Sequence, residues 1–87
     1  MDFKDFANDV NERVAKAAKA DFTRPSQSTA TWRAGDREAE MELVPPQNFR
    51  LTLRKPKDEP ASVRWYPVDE SIVTLASMKI GEYLSGK

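Results

Sequence analysis

Glu38, Glu40 and Glu42 alternate with apolar residues in the segment 37–44. On a β-strand this spacing places three carboxylates on one face, and carboxylate oxygens are the ligands that Mg²⁺ and Ca²⁺ prefer. The alternative is a cross-strand charge ladder, in which each glutamate faces an arginine or a threonine of a neighbouring strand. Because arginines would compete with a cation for these carboxylates, the ladder is the favoured interpretation. We therefore expect no metal site and no cofactor site.

A second group of candidate residues combines basic side chains with an aromatic one. Arg50 and Arg54 belong to one predicted strand, and Arg64 and Tyr66 belong to the next. Basic residues with an aromatic ring on an open sheet can hold single-stranded nucleic acid through phosphate contacts and base stacking. However, the 14 basic residues are balanced by 14 acidic residues, so the formal net charge is zero. A solvated face with paired charges is therefore preferred, and nucleic-acid binding is the alternative function.

The chain lacks the residues on which many catalytic sites depend. It contains no histidine and no cysteine. This excludes the commonest general base, thiol nucleophiles, disulfides and cysteine-ligated zinc. No nucleophile elbow, glycine-rich phosphate loop or metal-ligand spacing occurs. We expect no enzymatic activity and no catalytic residues.

Length and composition predict a single domain over residues 1–87. Hydrophobic residues make up 39% of the chain and recur periodically, which argues against disorder. Three of the first six residues are charged and no apolar run follows them, so we expect no signal peptide. No segment reaches the length of a membrane span, and the expected location is the cytoplasm.

Two amphipathic helices are predicted near the ends of the chain. In residues 2–20, apolar side chains recur every three or four positions, and Pro25 requires the helix to end before it. The apolar stripe narrows from phenylalanine to alanine, which allows another element to approach closely there. The second helix begins at Asp69 as N-cap and ends near Gly86. Gly81 is expected on its outer face.

Four strands are predicted between the helices, at residues 28–34, 37–44, 49–54 and 62–66. Residues 23–27 are expected to form a linker, and residues 55–60 a polar loop. Gly35-Asp36 predicts a two-residue hairpin with positive φ at the glycine, and residues 45–48 predict a longer turn.

One register of the first three strands places opposite charges together on one face of the sheet and apolar side chains together on the other. The first hairpin places Arg33 opposite Glu38. The second hairpin, with Leu43 opposite Phe49, places Arg54 opposite Glu38 on its other side. The remaining face then carries three rows of side chains: Trp32, Ala39, Leu53; Ala30, Met41, Leu51; and Ser28, Leu43, Phe49. This agreement predicts a meander.

The order α-β-β-β-β-α predicts an α+β fold. We expect a two-layer α/β sandwich, with an antiparallel meander sheet and both helices on one face. The fourth strand is an edge strand. Its Val63 and Trp65 are expected to point inward, and its Arg64 and Tyr66 outward.

The expected function is that of a small protein-binding module, a regulator, inhibitor or accessory subunit that acts sterically, as a monomer or a homodimer. Another protein is the expected partner, and no membrane is. The contact surface is expected to be the open sheet face, the edge strand 62–66, or the outer side of the second helix. The candidate residues are Arg50, Arg54, Arg64, Tyr66, Leu75 and Met78. The alternative is single-stranded nucleic-acid binding by the basic residues of the third and fourth strands, which predicts a steep salt dependence.

Overall fold

A computed structural model of the chain describes residues 2–54 and 62–86. Within these ranges two helices flank five strands: α1 Phe3–Ala17, β1 Asp21–Ser26, β2 Thr29–Ala34, β3 Arg37–Val44, β4 Asn48–Arg54, β5 Ser62–Pro67, a short 3₁₀ turn Glu70–Ile72, and α2 Val73–Leu84. The predicted α+β order is confirmed, with one strand more than predicted. The polar loop predicted at 55–60 lies outside the described residues.

The five strands form one antiparallel sheet in the order β1-β2-β3-β4-β5, so β3 is central. Arg33 lies opposite Glu38, and Leu43 lies opposite Phe49, which confirms the predicted register on both sides of β3. Gly35 has a φ of 63°, the positive value that the predicted hairpin requires. Alternation and turn chemistry together therefore determined the central three strands.

Strand β1 occupies residues 21–26, although the sequence predicted a linker at residues 23–27; that prediction was wrong. Pro25 is tolerated because β1 is an edge strand, where a missing N–H need not break a ladder. The register to β2 shifts in the second half of the strand. The ring of Phe22 lies 5.0 Å from that of Trp32, so an aromatic contact fixes the strand to the sheet.

Helix α1 packs on the apolar face of the sheet. The ring of Phe6 lies 5.0 Å from the ring of Phe49 in β4. Further along the helix, Asn11 Oδ1 accepts a hydrogen bond of 3.1 Å from the indole N–H of Trp32 in β2. Trp32 and Phe49 have no exposed surface. The helix therefore crosses the sheet from β4 to β2, and the Asn11 side chain provides the acceptor for an indole N–H that has no access to water.

Helix α2 contacts the same face through Arg37 of β3. The Arg37 guanidinium donates a hydrogen bond of 2.9 Å to the Tyr83 carbonyl and lies 4.9 Å from the centroid of the Tyr83 ring. Arg37 precedes the buried Ala39 by two positions, so the two share a side of β3. The contact places a cation at the C-terminal end of α2, where the helix dipole favours it.

The two helices lie in close contact at Gly81. A Cβ atom built on Gly81 would lie 3.1 Å from Ala17 Cβ. Gly81 is buried, so its predicted place on the outer face was wrong. The apolar stripe of α1 narrows to alanine at its C-terminal end, which predicted a close approach by another element, and α2 is that element. Asp69, predicted as the N-cap of the second helix, caps the 3₁₀ turn that leads into α2 instead, and its carboxylate accepts a hydrogen bond from Ser71 N. Gly86 follows the end of α2 with a φ of 84°, as predicted for a C-terminal cap.

Candidate protein-interaction surface

The face of the sheet opposite the helices carries the glutamates of β3 with arginines on both neighbouring strands. Among the described residues, these side chains form three ion pairs: Arg33–Glu38 at 2.9 Å, Arg54–Glu40 at 3.9 Å, and Arg50–Glu42. Their side chains are between 22% and 67% exposed, so each pair contributes at most about 1 kcal/mol. In the described part of the chain no group of three or more acidic side chains is arranged to hold a metal ion. This face is therefore a charge-balanced ladder.

Strand β5 has the orientation opposite to the predicted one. Trp65 lies opposite Arg50 on the open face, and Tyr66 lies opposite Phe49 on the helix-covered face, with the two rings 5.6 Å apart. The prediction that Val63 and Trp65 point inward, and that Tyr66 points outward, was wrong. Arg64 shares the helix-covered side with Tyr66, and the edge position leaves it exposed.

The physical reason for this orientation lies just beyond the strand. Val68 is buried, and its N–H donates a hydrogen bond of 2.7 Å to the Gln47 carbonyl, which continues the ladder past Pro67. Residues two apart share a face, so Tyr66 follows Val68 into the core. In this orientation Tyr66 and Val68 are both directed toward the core. Their burial outweighs the burial that Val63 and Trp65 would have gained if β5 had faced the other way.

This orientation leaves an apolar patch on the open face. Trp65 is 61% exposed and Val63 is 37% exposed. Thr52 lies opposite Val63 in β4 and is only 5% exposed, because larger side chains surround it on this face. We call the pair Trp65 and Val63 the β5 patch. An exposed tryptophan at a sheet edge has the size and amphipathic character typical of interface anchors.

The backbone of β5 adds hydrogen-bonding capacity to the β5 patch. Hydrogen-bonded pairs alternate along an antiparallel ladder, and Val68 with Gln47 is one such pair. The register then assigns Tyr66 and Arg64 to hydrogen-bonded pairs with β4. The N–H and C=O groups of Val63 and Trp65 consequently point away from the sheet. β5 is the last strand in the sheet order over the described residues.

The six residues predicted to bind a partner do not form one site. Arg50 and Arg54 lie on the open face, and Arg64 and Tyr66 lie on the other side of the sheet. Leu75, 38% exposed, and Met78, 55% exposed, lie on the outer surface of α2. Sequence reasoning missed Trp65 and Val63, which are the exposed apolar residues of the edge. The one sequence signal in favour of this orientation is that residue 68, two positions after Tyr66, is an apolar valine.

A groove of about 910 Å³ lies at the end of the sheet near the start of α1. Asp2, Lys4 and Arg24 line it together with polar side chains of two turns. The Arg24 guanidinium donates to the Gln27 carbonyl at 3.1 Å, which ties it to its own turn. Charges of both signs line the groove, so it offers no consistent field for a charged ligand.

Neither helix in the described part of the chain has the length and apolar character needed to cross a membrane. Comparison with protein-family models, with curated proteins and with solved structures finds no match to this chain.

Proposed function

We propose that this protein is a protein-binding module that receives an extended segment of its partner along β5. The observation that carries the proposal is the coincidence of an exposed tryptophan with outward-pointing backbone groups on the same edge strand. In strand addition the backbone hydrogen bonds supply affinity, and the side-chain contacts on alternate positions supply specificity. The role is steric, as a regulator, inhibitor or accessory subunit that occupies the partner's segment.

The chemistry of the edge defines the segment that fits. A residue opposite Trp65 on the open face should be apolar and β-branched, because aromatic and β-branched side chains pair well across strands. On the other side of the new strand, an acidic residue would lie next to Arg64, which is exposed. The favoured partner segment therefore alternates apolar residues with polar ones and carries a carboxylate.

The test uses displayed ten-residue peptides selected on the intact protein, and the decisive variant is Val63→Pro. The Val63 N–H points away from β4, so proline removes a donor needed by the partner without breaking the ladder of the sheet. Selected peptides should lose about tenfold or more in affinity on Val63→Pro. In the wild type they should slow the hydrogen exchange of the Val63 and Trp65 amides.

Met78→Asp is the matched control, because it places a charge on another exposed apolar residue, outside the sheet. Binding that is insensitive to Val63→Pro but abolished by Met78→Asp or Leu75→Asp would move the site to α2 and contradict the proposal. Circular dichroism on each variant shows whether the fold is retained.

A second candidate function is single-stranded nucleic-acid binding, because Trp65 lies opposite Arg50 on the open face. Stacking on Trp65 with phosphate contacts to Arg50 and Arg54 would follow the usual pattern. The glutamates of β3 already pair with these arginines, which reduces their attraction for phosphate. An oligonucleotide titration at low salt tests it: binding that weakens steeply with salt and with Arg54→Glu supports this candidate. The absence of binding removes it.

A further inference from the structure

We infer that a second copy of this chain occupies the β5 edge, paired antiparallel about a two-fold axis that passes between the two Arg64 residues. The inference rests on the proposed function, since it names an occupant of the same edge. It rests on a register in which the outward-pointing backbone N–H and C=O groups of two β5 strands form hydrogen bonds with each other.

The outward backbone groups select this register. Val63 and Trp65 carry the N–H and C=O groups that point away from the sheet. With Arg64 on the axis, Val63 of each copy lies opposite Trp65 of the other, and all four N–H groups find a carbonyl. If the axis is moved to Trp65, Val63 faces Pro67, which has no N–H to donate. Of these two registers, the one centred on Arg64 therefore pairs the outward N–H and C=O groups more completely.

The side chains of the open face support the same register. Each Trp65 lies beside Val63 of the other copy, so an aromatic ring and a β-branched side chain meet twice across the interface. Trp65 is 61% exposed and Val63 is 37% exposed in the single chain. Pairing the two β5 patches therefore covers both residues of each patch. The formal net charge of zero means that two copies do not repel each other as a whole.

One contact in this register is unfavourable. The two Arg64 side chains face each other on the helix side, and like charges directly opposite are destabilising. The dimer should therefore be weak, and a partner segment that places a carboxylate beside Arg64 should displace the second copy. The dimer would then keep the β5 patch covered until such a partner is present.

Sedimentation velocity from about 10 μM to about 1 mM covers the range expected for an interface this small. We expect the wild type to dimerise within this range. Val63→Pro should weaken dimerisation about tenfold or more, and Trp65→Thr should do so through the side chain alone. Arg64→Gln should strengthen it about two- to fivefold, because it removes the like-charge contact. Met78→Asp should leave it unchanged.

A cysteine variant tests the register, since the chain has no cysteine of its own. Non-hydrogen-bonded antiparallel pairs have Cα atoms about 4.5 Å apart, which lies within the range of a disulfide. Arg64→Cys should therefore form a disulfide-linked dimer rapidly under mild oxidation. Arg33→Cys, an exposed position on β2, is the matched control and should form it slowly.

A wild type that remains monomeric at about 1 mM overturns the inference, as does dimerisation that neither Val63→Pro nor Trp65→Thr weakens. Equal cross-linking of Arg64→Cys and Arg33→Cys overturns the register. If the protein is monomeric but selected peptides still protect the Val63 and Trp65 amides, the proposed function stands without the dimer. If the dimer forms and no peptide displaces it or protects these amides, the inference stands without the proposed function.

Discussion

Gly81 of α2 lies directly against Ala17 of α1, at a spacing where an added Cβ would be 3.1 Å from Ala17 Cβ. This spacing is tighter than an ordinary van der Waals contact, so the helices can approach this closely only because one of the two residues has no side chain. The contact fixes the separation of the helices at the end of α1, where both lie over the sheet.

Substitution of Gly81 by valine should destabilise the protein. The added carbon atoms overpack the contact with Ala17, and overpacking typically costs about 1–3 kcal/mol. The free energy of unfolding from urea titration measures the effect. Glu82→Val carries the same β-branched side chain at the next, exposed position and should cost much less. Equal losses at the two positions would mean that overpacking against Ala17 is not the cause of the destabilisation.

Loss of the Asn11 side chain should leave the Trp32 indole N–H buried without an acceptor. An unsatisfied buried donor costs about 1–3 kcal/mol, so Asn11→Ala should lower the free energy of unfolding by that amount. Asn11→Asp keeps an acceptor oxygen and should cost less. Asn8→Ala, on the exposed side of the same helix, is the control and should be nearly neutral. An Asn8→Ala loss as large as that of Asn11→Ala would contradict this account.

Two arginines near the first hairpin should differ in their contribution to stability. Arg37 donates to the Tyr83 carbonyl in a partly buried site, and hydrogen bonds from charged groups contribute about 1.5–3 kcal/mol. Arg33 pairs with Glu38 at the surface, where such pairs contribute at most about 1 kcal/mol. Thermal unfolding of Arg37→Ala and Arg33→Ala should rank them in that order. The reverse order would mean that α2 is not held through Arg37.

The two tryptophans should respond differently to a soluble quencher. Trp32 has no exposed surface and Trp65 is 61% exposed. Acrylamide or iodide should therefore quench part of the wild-type fluorescence readily, and Trp65→Phe should remove that part. If the part of the fluorescence that Trp65→Phe removes is poorly quenched in the wild type, Trp65 is buried, β5 has the other orientation and the β5 patch does not exist.

The centre of the sheet could be predicted because its two faces differ strongly. In β3 carboxylates alternate with apolar residues, so a slip of one residue would bury the glutamates and expose Met41. The turn at Gly35 then left one register that also matched the arginines of β2 and β4. This part of the fold could be predicted from the sequence because the side-chain pattern and the turn residues agreed on one register.

The edge strands could not be predicted in the same way, because their faces are chemically similar. In β5, Val63 and Trp65 are as apolar as Tyr66, so alternation alone does not decide which face is buried. The packing of Tyr66 on Phe49 and the burial of Val68 decide it, and both depend on tertiary contacts. β1 was missed because Pro25 is typical of a linker, although an edge strand accepts it.

The two edges of the sheet are not equivalent. β1 carries Pro25 and an irregular register to β2, features that commonly protect an edge from pairing with another chain. β5 presents the outward groups of Val63 and Trp65. A contact about a two-fold axis at β5 uses up that edge in both copies and leaves a β1 strand at each end. In the proposed dimer, growth would therefore stop at a closed pair, which would prevent open-ended fibre formation through β5.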